Sequence, residues 1–482
     1  MAVRRVQVSQ AILGADQGWT GPVAIDFDER GILGVHPLGA PPPGPRRLAM
    51  PALADAHNHG RPLSTTSFAA SGKPLETWLI RLSVMPAVDP YGAAIAFFAH
   101  AALGGVASIM MHQTRPAART SLPDEAAEIS RAANDVGIQA ALAIGIRDRN
   151  PLVYGLTETA TKGLPSAARQ AIDELYRAPT IDPKAYVTLV EEVAEAAERP
   201  GFSIQFGPNG VHWCSDALLE AIAEASERTG RRVHMHLLET KYQRAWADQN
   251  LPQGIVSHLK DIGLLSPRLT LAHCVWARPD ELELIAEAGA TISVNSSSNL
   301  ALKSGIAPVE AMVAKGVNVA IGLDNSAFDE DDDALRELRL FKQLHGGWGF
   351  DDVVTAQKAL GFAASNGRRT LGLSGAGELK AGDPADILIL DLDGLDRDAI
   401  MPVDPFELVF SRGRKEQIAE LIVAGRTVVL NGCVPGIDLA AIEGALREEY
   451  RAGLGTRADY ASVWSTIEPA LTRFYRENLG CC

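Results

Sequence analysis

The chain has 482 residues, with 45 Lys and Arg against 59 Asp and Glu and a formal charge of −14. That length suits two or three domains, or one large barrel with additions, and 46% hydrophobic with 22% charged residues excludes a largely disordered chain. The acidic balance argues against a general binder of nucleic acid or anionic membranes, because nothing supplies a broad positive field.

No run of eighteen or more uncharged apolar residues occurs, so no membrane span is expected. The opening MAVRRVQVSQAILGADQGW lacks the apolar core and cleavage site of a signal peptide. Cys214, Cys274, Cys433, Cys481 and Cys482 form an odd, sparse set, which points to a reduced, cytoplasmic protein and not to a disulfide framework. The terminal Cys481-Cys482 pair has no polybasic segment before it and reads as a frayed tail, not as a lipidation signal.

Residues 1–50 read as short strands (Val3–Val8, Val23–Phe27, Gly31–His36) ending in the stiff Pro-rich connector Ala40–Arg46. Over residues 51–371 short apolar runs alternate with longer stretches of helical period, the pattern of βα units around a parallel sheet. The runs are ALADAH, GVASIMMH, IQAALAIG, FSIQFGP, RRVHMHLL, LTLAHCV, ATISVNS and NVAIGLD. Eight of them predict an α/β protein built on a (β/α)8 TIM-type barrel. Residues 372–436 return to short strands within Gly375–Asp391 and Ile418–Gly432. Neither terminal set can bury a core alone, so they are expected to pair into one small composite β-sandwich domain. Residues 437–482 predict a helical extension over Ala440–Arg451 and Ala461–Arg476, which either caps the barrel or joins two copies of the chain.

The chemistry lies at the ends of the predicted strands. His57-Asn58-His59 closes the first, and residues i and i+2 share a face, so both imidazoles can point at one ion. His236 ends the fifth strand with Glu239 three residues on, His273 ends the sixth, and Asp324 ends the eighth. Barrel enzymes assemble their sites at these ends, and imidazoles with a carboxylate suit a divalent ion such as zinc or iron. Gln205, Asn209, His212 and Trp213 cluster around the end of strand four, where amides and aromatics suit a planar ligand. His112 and Gln113 at the end of strand two, and Trp78 in the segment after His59, are further candidates for substrate contact. His234 reads as packed beneath His236, Cys274 as pointing away from the site, and the acidic run Asp329–Asp333 as the solvated first turn of a helix.

LADAHNHG, HMHLLET, LAHCVW, NSSSNLAL with GIAPV, GVNVAIGLDNS and the late GELKAGDPADILILD make the chain similar to the amidohydrolase superfamily. The resemblance is to its mononuclear deaminase and chlorohydrolase branch, that of cytosine deaminases, triazine hydrolases and S-adenosylhomocysteine deaminases. It implies that His57, His59, His236 and Asp324 hold the metal, that Glu239 shuttles protons and that His273 polarises the reacting group. Binuclear members carry a lysine after strand four; Phe202–Pro208 has none, which implies one ion, zinc in the first place and iron in the second. A divalent ion makes water a usable nucleophile near neutral pH. Asp324 can then take its proton as it attacks an sp² carbon, Glu239 can protonate a ring nitrogen, and His273 can stabilise the developing charge.

The expected activity is hydrolytic deamination of an aminated N-heterocycle of purine, pyrimidine, pterin or triazine type. The alternatives are hydrolysis of an amide, urea, cyclic amide or aryl chloride on the same site, or a metal-free binding relative. The expected partners are a small-molecule substrate and further copies of the chain, with no nucleic acid and no membrane.

Overall fold

The computed structural model describes residues 3–149, 152–176, 182–324 and 331–479. The expectations for Cys481-Cys482 and for the first two residues of the acidic run lie outside them. Eight parallel strands form the centre: β1 (Leu53–Asn58), β2 (Val106–Gln113), β3 (Gln139–Ile146), β4 (Phe202–Pro208), β5 (Val233–Leu237), β6 (Leu269–His273), β7 (Thr291–Val294) and β8 (Asn318–Ile321). Each pairs with the next in chain order, and together they are the eight strands expected. β1, β2, β5, β6 and β7 are buried at every residue, as parallel strands are when side chains fill one face and helices cover the other. Local chemistry fixes the helices between them. Ser121 and Ser215 accept from the Asp124 and Leu218 N–H groups to start Leu122–Val136 and Asp216–Thr229, which end at left-handed Gly137 and Gly230.

The barrel is drawn shut at its mouth. The Asp324 N–H donates to the His57 carbonyl at 2.9 Å. The Leu323 N–H donates to Asp55 Oδ1 at 2.9 Å, and Asp55 also accepts from the His57 N–H and the Asn58 amide. Gly322 is required where β8 passes β1, because a Cβ there would lie 2.4 Å from Asn295 Oδ1 and 2.9 Å from the His57 nitrogen.

Both termini contribute to two further sheets. One orders Arg426–Leu430, Ile418–Val423, Ile387–Asp391, Arg47–Pro51, Gln10–Gly14 and Gly18–Thr20; the other orders Arg4–Val8, Val23–Asp28 and Gly31–Pro37. The amino- and carboxy-terminal portions are stitched by antiparallel pairing of Arg47–Pro51 with Ile387–Asp391, and Val8, Ile25, Phe27, Ala49, Ile387 and Ile422 share one apolar core. The first 51 residues thus hold six strands where three were expected. Gln10–Gly14 and Gly18–Thr20 are short, and Arg47–Pro51 runs into β1 with only Ala52 between, so in sequence it merges with the barrel.

The carboxy-terminal helices Leu439–Gly453 and Ala458–Asn478 lie against the barrel. Tyr460 donates to the Ile80 carbonyl at 2.7 Å, and His100 pairs with Glu443 at 2.6 Å. Asp333 caps helix Ala334–His345, as an acidic first turn should, but it is buried and not solvated, because it also accepts from the Lys415 N–H. No helix among the described residues is long and apolar enough to cross a membrane.

Barrel and small β unit are locked by a buried ion pair. Arg368, on the last barrel helix, pairs with Asp386 and donates to the Ser374 carbonyl, while Asp386 accepts from the Ala424 N–H. Arg368→Ala would strand the Asp386 charge, so urea unfolding should show a loss of about 3–5 kcal/mol. Replacing both partners with apolar residues should lose less.

Candidate active site

The strand ends bring four donor atoms together. His59 Nε2 lies 3.3 Å from His236 Nε2 and 3.2 Å from Asp324 Oδ1, and His57 Nε2 lies 3.4 Å from the same oxygen. His57, His59 and His236 form one group able to hold a metal ion, and His57, His273 and Asp324 form another that shares His57. The other ring nitrogens face outward. His57 Nδ1 meets His234 Nε2 at 2.7 Å, His59 Nδ1 meets the His112 carbonyl at 2.9 Å, and His236 Nδ1 meets the Asn209 carbonyl at 2.9 Å. An Nδ1–H donated to a carbonyl leaves the Nε2 lone pair facing the centre, the arrangement that metal-binding imidazoles use.

A cation fits this set. His57 Nε2 and Asp324 Oδ1 are buried with no hydrogen-bond partner, a costly condition for polar atoms unless something else satisfies them. Burial holds the His57 imidazole down at about 4 and His234 and His236 well below the ordinary histidine value. Burial thus disfavours the charged form of these rings, and coordination needs the neutral one. Burial alone would raise the Asp324 carboxyl, but His57 and His59 beside it hold it well below the usual range.

Glu239 and His273 stand beside this group. His273 Nε2 is 3.8 Å from both Glu239 Oε2 and Asp324 Oδ2. Burial, then Asp324 and Glu76, push the Glu239 carboxyl well above the usual carboxylate range, which favours its protonated form. The backbone is held in an unfavourable conformation here, with φ of 50° at Leu238, 76° at His273 and 53° at Asp324. Each costs about 1–3 kcal/mol and persists because the surrounding structure imposes it. His273 Nδ1 lies 2.9 Å from Asn299 Oδ1 and 3.2 Å from Asn295 Nδ2, and the tautomer that accepts from Asn295 leaves Nε2–H as a donor; Ser298 donates to Asp324 Oδ2 at 2.6 Å. The NSSSN string thus braces His273 and Asp324.

A cavity of about 280 Å³ opens over the site and is lined by His59, His236, Glu239, His273 and Asp324. Gln113, Asn209, Trp213 and Trp78 are on its wall, and Gln113 Oε1, Asn209 Oδ1 and Trp213 Nε1 are buried with no protein partner. Three other candidates are placed elsewhere. His112 is wholly buried beside the histidine rings, Gln205 donates inside the barrel to the Thr370 carbonyl, and His212 packs among Tyr154, Trp213 and Trp246. Strand alternation and loop proximity suggest such positions without separating wall from filling.

The sequence does not single out Asp55, the acid of ADAHNH that ties β1 to β8. Nor does it single out Glu76. It is buried against the Thr240 hydroxyl and raised to about 7 by burial. Nothing in the sequence around LETWL marks it.

A barrel mouth that gathers imidazoles and a carboxylate beneath a cavity has the donor set that a divalent ion takes. The sequence profile of the amidohydrolase family matches residues 48–428, and the chain belongs to that family. It is 33% identical over 234 residues to a 5'-deoxyadenosine deaminase of Methanosarcina barkeri, 48% of this chain and 54% of that protein. The chain thus spans about half the length of that relative. With a 5-methylthioadenosine/S-adenosylhomocysteine deaminase of Moorella thermoacetica it shares 27% identity over 461 residues, covering 93% of this chain and 97% of the other. An adenosine deaminase of Xanthomonas campestris with bound zinc matches with a TM-score of 0.76 at 22% identity, over 94% of this chain and 98% of that one. Atrazine chlorohydrolase of Arthrobacter aurescens, complexed with zinc, matches at 0.75 and 22% identity, over 92% and 99%. These likenesses establish the fold.

Metal analysis of purified variants tests the donor set. His236→Ala should lose bound metal. His234→Ala, which removes the outer support of His57, should weaken metal affinity by about 10–100-fold and leave the donors intact.

Proposed function

We propose that this protein is a metal-dependent aminohydrolase that replaces the amino group of an N-heterocycle with oxygen, releasing ammonia. The observation that carries the reading is a buried Glu239, its carboxyl pushed upward by burial, that shares His273 Nε2 with Asp324 on the floor of a cavity. A divalent ion held by His57, His59, His236 and Asp324, one per chain and zinc before iron, would supply the Lewis acidity that makes water reactive near neutral pH. Asp324, ionised and anchored by Ser298, accepts the proton of the attacking water. Glu239 donates its proton to the ring nitrogen next to the attacked carbon. His273 Nε2 makes a hydrogen bond to the oxygen as charge develops there. Collapse returns a carbonyl, and the amino nitrogen leaves as ammonia with a proton passed through Asp324 or Glu239.

Gln113, Asn209, Trp213 and Trp78 would contact the heterocycle from the cavity wall. The deaminases of adenosine-type compounds among its relatives favour a purine-like ring. The same reading makes the protein a cytoplasmic homo-oligomer acting on a small molecule, in keeping with its free cysteines Cys214, Cys274 and Cys433.

Ammonia release by zinc-loaded protein from a panel of aminated heterocycles, with Glu239→Gln as the blank, tests the reaction. Turnover above the blank is expected for at least one purine-like compound. Silence from a metal-loaded protein would sink the reading in favour of amide, urea or carbon–chlorine hydrolysis. Glu239→Gln should keep its metal and lose about 10²–10⁴-fold in kcat. Because the protonated carboxyl is the working form, kcat/KM should fall as pH rises through a Glu239 pKa far above the ordinary carboxylate value. An alkaline limb that persists unchanged in Glu239→Gln would show that another group sets it.

A further inference from the structure

Glu239 is held differently from the other groups on the cavity floor. His57, His236 and His273 lie within strands of the barrel, and Asp324 is bonded to the His57 carbonyl across the seam. Glu239 follows left-handed Leu238, beyond the last ladder pair of β5 with β6, Leu237 with His273. Side chains hold it instead. The Glu239 N–H donates to Gln243 Oε1 at 2.9 Å, and Gln243 Nε2 donates to the Tyr154 hydroxyl at 3.3 Å. Gln243 is set in turn by Thr240, whose hydroxyl accepts from the Gln243 N–H at 3.4 Å and caps helix Lys241–Asn250.

The Thr240 hydroxyl donates its one proton to Glu76 Oε1. A hydroxyl has a single hydrogen to give and two lone pairs, so this acceptor decides which way Thr240 turns and leaves a lone pair for Gln243. Either protonation state of Glu76 keeps an oxygen that can accept. Glu76 lies 164 residues before Thr240, on helix Leu75–Arg81, which also carries Trp78 on the cavity wall. That helix is docked to the segment after β7, where the Leu75 N–H donates to the Leu302 carbonyl at 3.1 Å and Ser304 donates to Glu239 Oε1 at 3.5 Å. Glu76 is buried. Tyr154, Tyr475, Tyr242 and Glu239 act on it or feel its charge, none of them cationic, and Lys241 is the cation that favours its ionised form. A carboxyl kept here without an ion pair among the described residues costs stability, and what it gains is one hydrogen bond to the residue that follows Glu239.

We propose that Glu76 is a positioning residue for Glu239: by fixing the Thr240 hydroxyl it holds Thr240 and Gln243 in the arrangement that sets the Glu239 side chain beside His273 and the substrate. This deepens the deaminase reading and rests on it for the proton that Glu239 delivers.

The test compares metal-loaded Glu76→Leu, Glu76→Gln, Thr240→Val and the variant combining Glu76→Leu with Thr240→Val against the parent chain. It reads hydrogen exchange at the Glu239 amide and turnover of whichever heterocycle releases ammonia. In Glu76→Leu and in Thr240→Val that amide should exchange about tenfold faster or more, and kcat should fall about 10–100-fold through misplacement of the proton donor. Bound metal and KM should stay close to the parent values. Glu76→Gln, which keeps an acceptor oxygen, should recover most of both losses. The combined variant should lose no more than either single one, because both cut the same chain of hydrogen bonds. Exchange and kcat like the parent's in Glu76→Leu, or losses that add in the combined variant, would overturn the proposal. So would a raised KM with kcat unchanged, since the helix would then do no more than shape the wall around Trp78. If Glu76→Leu does not fold, Thr240→Val, which removes the hydroxyl alone, decides the matter by the same two readings. Faster exchange at Glu239 in a protein that releases ammonia from no aminated heterocycle would leave the brace standing and remove the deaminase reading instead.

Discussion

Closure of the last barrel strand onto the first is the constraint on which this site depends. Asp324 follows β8 and His57 lies in β1, almost the whole barrel apart in sequence. The bond from the Asp324 N–H to the His57 carbonyl makes them neighbours. Asp55 reinforces it by accepting from residues on both sides of the seam. A buried carboxyl raised to about 8 by desolvation is an expensive clamp, but it is satisfied by three donors and sets the direction in which His57 and His59 leave the strand. Without the seam the imidazoles and the carboxylate would belong to opposite edges of an open sheet.

The same burial that closes the seam sets the protonation states at its mouth. Desolvation disfavours charge on every group, so imidazoles are driven neutral and carboxyls are driven to keep their protons. Asp324 departs from that trend because it faces His57 and His59, whereas Glu239 follows it because its charged neighbours, Asp324 and Glu76, are both acidic. Two carboxyls that share His273 Nε2 are thereby shifted in opposite directions, one towards accepting a proton and one towards holding it. The positive φ values at His273 and Asp324 mark the same place, where the surrounding structure imposes a backbone conformation that neither residue favours.

Most of the barrel was legible because its strands are short apolar runs broken by helical period, and all eight coincide with observed strands. The histidines and Asp324 were legible because strand ends are where a barrel presents side chains, and HNH, HMH and LAHC mark those ends directly. Legibility failed where a residue's role depends on what lies across from it. Gln205 reads as a mouth residue until the Thr370 carbonyl is seen beside it, and Asp55 reads as one acid in a motif until Leu323 and Asn58 are seen to donate to it. The extra amino-terminal strands were lost for a related reason. Arg47–Pro51 pairs with Ile387–Asp391, more than 300 residues away, and no local pattern announces such a partner.

The separation between what the motifs encode and what they omit follows from how the cavity is built. Its floor comes from strand ends, where geometry is fixed by the sheet and little can vary without losing the donor set. Its wall comes from helix Leu75–Arg81 and the segment after it, from the loops after β1 to β3, and from Tyr450 and Arg457 at the carboxy-terminal end. Those segments hold one another, through Tyr460 on the Ile80 carbonyl and Lys73 on Glu468, and not through the barrel ladder. Substrate choice can therefore change by exchange of wall residues while the floor keeps its chemistry. On such a scaffold the floor sets the chemistry and the wall sets the fit.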